Sequence, residues 1–138
     1  MAKKIKVAVL MGGASGEREV SLASGRAAVQ ALAANKKFEV LPIEITRQGK
    51  WLAAPTPHQL TDGKKSQALV PVNKATERSI DVAFIAMHGK GGEDGTIQAV
   101  LELLKIPYTG SGVLASALGM DKVRSLALFR DAGILVPD

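Results

Sequence analysis

Two short stretches hold most of the side chains able to do chemistry. The first, "GGASGEREVS" (Gly12–Ser21), sets three glycines and a serine ahead of Glu17 and Glu19. The second, "HGKGGEDG" (His88–Gly95), sets a histidine and an acidic pair, Glu93 and Asp94, among four glycines. A glycine turn that opens a helix usually cradles phosphate, because unpaired backbone N–H groups and the positive end of the helix dipole face the ligand. Here the start of the helix is acidic, and a carboxylate placed there repels a phosphate and attracts an ammonium. The G-x-G-x-x-G spacing of a dinucleotide loop is only partly present in G-G-A-S-G.

Each of these residues also admits a plainer role. Glu17 and Glu19 could simply complement the helix dipole, worth about 0.3–1 kcal/mol apiece. For Glu19 that role and a ligand role stay open, whereas Glu17, nearer the glycine turn, is assigned to ligand binding. A histidine after an apolar strand is often satisfied by a backbone carbonyl. His88 lies at the carboxyl end of a predicted strand beside a glycine-rich loop, which suits it to orient a carboxylate or pass a proton. Glu93 follows five residues later with no third ligand in view, which argues against a metal site. Lys122 in "GMDKVR" is ordinarily a solvated cation near a helix start, yet it is a point charge able to meet phosphate.

These residues need a scaffold, and the chain of 138 residues is long enough for one compact domain with a real core. It has no cysteine, so no disulfide framework or thiolate chemistry is available, and a cytoplasmic location fits best. No stretch approaches the roughly 18 consecutive apolar residues of a membrane span, and the N-terminal apolar run, Val7 to Met11, is too short for a signal peptide. No membrane association is expected. The net charge of +5 is spread along the chain with no aromatic series beside it, so nucleic acid is not the expected partner.

Lys4 to Met11 alternates and then runs apolar, as a strand covered on both faces does. Glu17 to Ala34 reads as a helix, with Val20, Ser24, Ala27 and Ala31 on one stripe. Phe38 to Ile45 reads as a second strand that Pro42 places at an edge or bulge. A turn at Gln48-Gly49 leads into a short strand at Trp51 and Leu52. Ala53 to Arg78 reads as a surface excursion without assigned chemistry. Ile80 to Met87 is a second buried strand, and a helix over Thr96 to Lys105 follows with Thr96 as its N-cap. A short strand near Ile106 to Thr109 and helices from Val113 and over Asp121 to Ala132 complete the pattern. Such alternation predicts an α/β fold: a parallel, Rossmann-like sheet with helices on both faces and a small hairpin excursion. Ligands of such sheets bind outside the carboxyl ends of the strands, where both glycine-rich loops fall.

Taken together, "GGASGEREVSLASG" and "HGKGGEDGTIQAVLELLKIPYTGSGVLASALGMDK", with the spacing between them, resemble the N-terminal region of the D-alanine:D-alanine ligase family of the ATP-grasp superfamily. The resemblance spans nearly the whole chain outside Ala53 to Arg78. It implies a pre-ATP-grasp substrate domain over residues 1–120, with 121–138 opening the central ATP-grasp domain. The implied reaction is ATP-dependent joining of two D-alanines through an acyl phosphate, for peptidoglycan precursors. By the same resemblance, Glu17 matches the glutamate that holds the ammonium of the first D-alanine, with Val20 and Ser21 in support. His88 matches a histidine beside that substrate, Glu93 an acidic residue linking substrate and nucleotide sides, and Lys122 a lysine on ATP phosphate. ATP and Mg²⁺, or Mn²⁺ in its place, are the implied cofactors, with metal ligands outside this chain and a homodimer formed through this region.

The abrupt end at "AGILVPD" reads as a cut through a larger protein, and the chain alone is expected to be inactive. Competing readings are a related ligase making D-alanyl-D-lactate or D-alanyl-D-serine, and a non-catalytic D-amino-acid binding module. A plain nucleotide-binding domain is disfavoured by the acidic loop.

Overall fold

The computed structural model describes residues 3–53, 70–71 and 79–137. In chain order these form β1 (Ile5–Gly12), α1 (Arg18–Ala33), β2 (Phe38–Ile45), β3 (Trp51–Ala53), β4 (Val70–Pro71), β5 (Val82–Ile85), α2 (Thr96–Leu103), α3 (Val113–Met120) and α4 (Lys122–Asp131). The strands make one sheet in the order β4-β3-β2-β1-β5. β1 runs parallel to both β2 and β5, while β3 and β4 are added antiparallel at one side. The expected α/β sheet is therefore parallel at its centre and carries the hairpin at its edge. Apart from β4, the surface excursion read over Ala53 to Arg78 lies outside the described residues beyond Ala53 itself.

The central position of β1 follows from its sequence. Val7, Val9 and Met11 point to one face, where they pack with Leu22 and Val29 of α1. Ala8 and Leu10 point to the other, where they join Ile43, Ala83, Ile97 and Leu101. A strand apolar on both faces is stable only between two covering layers, and α1 and α2 supply them. Gly25 lets α1 sit close to the sheet, since a Cβ there would lie 2.6 Å from Cβ of Met11.

Local details differ from the sequence reading. α1 begins at Arg18, with Glu17 at its N-cap making no side-chain cap bond. Thr96 is the first residue of α2 and not its cap. The cap is Gly95, in a left-handed conformation that glycine adopts at no steric cost. Asp94 instead accepts from the Thr96 amide at 3.1 Å. The strand expected over Ile106 to Thr109 is reduced to a single parallel bridge between Tyr108 and Ala83. β5 is shorter than the apolar run Ile80 to Met87, because its pairing with β1 spans Val82 to Ile85. Pro42 lies inside β2 and is fully buried. β3 pairs only with Ile43 to Ile45, so among the described residues the outer side of β2 is open at the proline, which lacks an N–H to offer there.

Candidate functional site

The chain leaves β1 in one direction, to β2 and β3, and returns on the other side as β5. The point where strand order reverses is therefore the gap between the carboxyl ends of β1 and β5, where open α/β sheets hold their ligands. The two glycine-rich loops meet in that gap. A Cβ on Gly89 would lie 2.9 Å from Oε1 of Glu17, and Gly89 itself has φ +68°. Only glycine lets the His88 loop approach the Glu17 carboxylate this closely without strain.

One face of α1 faces the end of β5. Glu17, Ser21 and Ser24 follow one another at helical spacing, so their side chains share that face. The Ser21 hydroxyl is fully buried, donates to the Ala86 carbonyl at 2.9 Å and accepts from the Gly12 amide at 2.8 Å. It ties β1, α1 and the β5 loop together. Ser24 Oγ lies 3.0 Å from Nε2 of His88. The Glu17 carboxylate makes no hydrogen bond or ion pair among the described residues, and it is exposed. Val20, on the same exposed turn, is 55% accessible.

His88 is held from several sides. Its carbonyl accepts from the Ser15 hydroxyl at 2.8 Å, and its Nδ1 lies 3.7 Å from Oε1 of Glu93. The other Glu93 oxygen accepts from the Gly89 amide at 2.7 Å. Asp94 closes the same loop by accepting from the Gly91 amide at 2.9 Å and the Thr96 amide at 3.1 Å. Desolvation pushes the Asp94 carboxyl upward, but the hydrogen bonds from Thr96 and Gly91 outweigh it, and the net pKa lies below the ordinary value.

The β1 loop is fixed from beneath by Arg18. Its guanidinium donates to the Gly13 carbonyl at 3.0 Å and the Ile45 carbonyl at 2.7 Å, and pairs with Glu44. Both partners of the pair are largely shielded, at 12% and 21% side-chain exposure. Neutralised by Glu44, Arg18 adds little positive field to an ammonium beside Glu17.

Glu17, Ser21, His88 and Glu93 thus come together around one gap, with Val20 exposed on the same turn of α1. Lys122 stands apart, as the exposed first residue of α4, with no partner for its ammonium among the described residues. A cavity of about 450 Å³ runs from His88 and Glu93 past Thr109 and Ser111 to Met120, in the direction of α4. A separate, mainly apolar cavity of about 540 Å³ between Trp51, Ile45, Ile97 and the Gly13–Ser15 turn contains none of the six predicted site residues. The sequence reading passed over Ser15, Arg18 and Ser24. Ser24 was legible as the residue seven positions after Glu17, on the same helical face; the partners of Ser15 and Arg18 are remote in sequence and carried no signal.

The fold and site define an α/β domain, parallel at the centre of its sheet, with the Glu17 carboxylate unpartnered among the described residues at the switch point. Residues 6–111 match the family described as D-ala D-ala ligase N-terminus, and the chain belongs to that family. It is 43% identical over 148 residues to a D-alanine–D-alanine ligase of Bacillus cytotoxicus, covering 95% of this chain and 41% of that protein. A Geobacillus kaustophilus D-alanine–D-alanine ligase is 44% identical, with 95% of this chain and 40% of that protein covered. Among solved structures, the D-alanine-D-alanine ligase of Coxiella burnetii superimposes with a TM-score of 0.90 at 33% identity, over 99% of this chain and 44% of that one. The VanG D-Ala:D-Ser ligase of Enterococcus faecalis does so at 0.83 and 37% identity, over 99% and 44%. The chain therefore spans about two fifths of the length of the curated relatives it matches.

Proposed function

We propose that this chain provides the first-substrate site of an ATP-dependent D-alanine:D-alanine ligase, acting in the cytoplasm to supply the dipeptide of peptidoglycan precursors. The observation that carries the proposal is the Glu17 carboxylate, unpartnered and held against Gly89 at the switch point of the sheet. Glu17 binds the ammonium of the first D-alanine, and Val20 borders it. Ser21 keeps that helix face in place through its bonds to Gly12 and Ala86. His88 and Glu93 fix the opposite wall. Amide-bond formation needs an activated carboxylate, and ATP supplies the phosphoryl group that makes the acyl phosphate; the amine of the second D-alanine then displaces phosphate.

Lys122 fits a phosphate contact because its ammonium is exposed at the start of α4 and has no partner among the described residues. Among the described residues no cluster of three or more His, Asp or Glu side chains is suited to a metal ion, so no residue here is assigned to Mg²⁺ or Mn²⁺. The proposal places those ligands outside this chain. It also takes Asp121 as the start of the next domain, in keeping with α4, whose only buried residue is Ser125. Homodimerisation through this region is part of the same reading, supported by exposed Leu103, Leu114 and Val123. Light scattering is expected to give a dimer, and a clean monomer would remove this part.

The decisive experiment replaces the matching region of the Bacillus cytotoxicus ligase with this chain. D-alanine-dependent ADP release is expected from the hybrid and is expected to be lost in Glu17→Gln. A folded hybrid that binds D-alanine without turnover would support a non-catalytic binding module instead. Offering D-serine or D-lactate as second substrate tests the related ligases. The 138-residue chain by itself is expected to release no ADP from ATP and D-alanine.

A further inference from the structure

Ser24 belongs to none of the roles assigned above, yet its hydroxyl makes the one hydrogen bond received or given by the His88 ring among the described residues, at 3.0 Å to Nε2. The other ring nitrogen, Nδ1, faces a carboxylate oxygen of Glu93 at 3.7 Å. Of these two neighbours Glu93 decides where the imidazole proton sits, since the Ser24 hydroxyl can either donate to Nε2 or accept from it. With the proton on Nε2, the lone pair of Nδ1 would point at the negative Glu93 oxygen, and the contact would be repulsive. With the proton on Nδ1, the N–H faces the carboxylate, and Nε2 is left as an acceptor for the Ser24 O–H. The second arrangement satisfies both ends of the ring.

From this geometry we infer that Ser24 is a positioning residue, which anchors the His88 imidazole at Nε2 with Nδ1 turned to Glu93 and thereby sets the wall of the substrate crevice opposite Glu17. The inference rests on the substrate reading only in its consequence for D-alanine. The mechanical link is continuous. Ser24 fixes the ring, the ring nitrogen faces one oxygen of Glu93, and the other oxygen of Glu93 holds the Gly89 amide at 2.7 Å. Gly89 in turn packs on the Glu17 carboxylate, and Ser15 anchors the His88 carbonyl at 2.8 Å from the other loop. Nε2 is thus bonded by the protein, while Nδ1 faces Glu93 without a hydrogen bond. The charged or titratable neighbours of the ring are Glu93 on its own loop and Glu17 across the gap; Ser24, on α1, is uncharged.

The test is a long-range ¹H–¹⁵N correlation spectrum of the imidazoles of the 138-residue chain, at a pH where they are neutral. The chain has two histidines, and His88→Gln assigns the signals. The Nδ1–H pattern is expected for His88 in the wild type and in Ser24→Thr, which keeps the hydroxyl. In Ser24→Ala the tautomer is expected to stay Nδ1–H, because Glu93 still faces Nδ1, while the Nε2 resonance shifts as that nitrogen loses its hydrogen-bond partner. In the same samples, Ser24→Ala is expected to weaken D-alanine binding by up to about tenfold, the range set by one hydrogen bond, and Ser24→Thr is expected to restore it. A wild-type His88 that is mainly Nε2–H, or an Nε2 resonance unmoved by Ser24→Ala in a chain with native amide dispersion, would overturn the inference. Failure of wild-type chain to bind D-alanine while the tautomer and the Nε2 resonance behave as expected would strike the substrate reading and leave the role of Ser24 standing.

Discussion

The two loops that meet at the switch point are built from the same residue types and use them in opposite ways. In the β1 loop, the acid is free: Glu17 caps α1 without bonding to it, and the loop is held from beneath by the Arg18–Glu44 pair. In the β5 loop, both acids are engaged. Glu93 accepts from the Gly89 amide, and Asp94 accepts from the amides of Gly91 and Thr96. The difference lies in who satisfies the backbone. Where a guanidinium and a buried serine organise a turn, its carboxylate stays available for a ligand. In the β5 loop Ser15 and Gln98 serve the carbonyls of His88 and Gly92, and the two carboxylates are taken up by the loop amides.

The sharpest way to break this contrast is to disturb the support of the β1 loop. Gly12 has φ +91°, and a Cβ there would sit 2.5 Å from the Ile45 carbonyl oxygen. Gly12→Ala is expected to cost about 3 kcal/mol, read as a lowered midpoint in urea unfolding. A loss under 0.5 kcal/mol would show that the turn is not pinned to β2. Arg18→Met removes two carbonyl bonds and leaves Glu44 alone at 21% exposure. Its expected cost is about 2–3 kcal/mol, and pairing it with Glu44→Leu should recover part of that loss in the same assay.

The two acids themselves should separate cleanly. Glu17→Gln is expected to leave the unfolding midpoint within about 0.5 kcal/mol of wild type while weakening D-alanine binding at least tenfold, since a charge-assisted contact to the ammonium is lost. Glu93→Ala is expected to destabilise by about 1 kcal/mol, because the Gly89 amide loses its acceptor. If calorimetry showed both variants changing only binding, the contrast between a free and an engaged acid would fail.

The smallest effect concerns pH. The folded-state pKa of Asp94 lies below its unfolded value, so its ionised form stabilises the fold above the unfolded pKa. That contribution is lost as pH falls from about 4 through the lower folded value. Asp94→Asn should therefore show a shallower loss of stability over that acid range than wild type, in unfolding curves collected from pH 5 downward.

Much was legible from sequence because it depends on local pattern. The two-sided apolarity of Val7 to Met11 required a covered central strand and glycine at the strand ends marked the crevice, whereas the stripe read on α1, Val20, Ser24, Ala27 and Ala31, is not its covered face, which is Ser21, Leu22, Gly25 and Val29. The acidity of the β1 loop is what points to a cationic ligand in the function proposed above. Caps and strand ends were less legible. Thr96 lost the cap position to Gly95, and Ile106 to Thr109 kept only one bridge, because both depend on how the chain closes on distant backbone.

By itself, then, the sequence determined the α/β class, the family and the chemistry on offer: a carboxylate, an imidazole and a lysine. Only the tertiary structure decided which of these remain free. Glu17 and Glu93 are the same side chain in similar glycine-rich settings, and they differ because the Gly89 amide reaches Glu93 while no donor among the described residues reaches Glu17. Hydrogen bonds between residues such as Ser24 and His88, which are 64 positions apart, are set by the packing of α1 on the sheet. No local pattern encodes them, since their geometry exists only once the layers have come together.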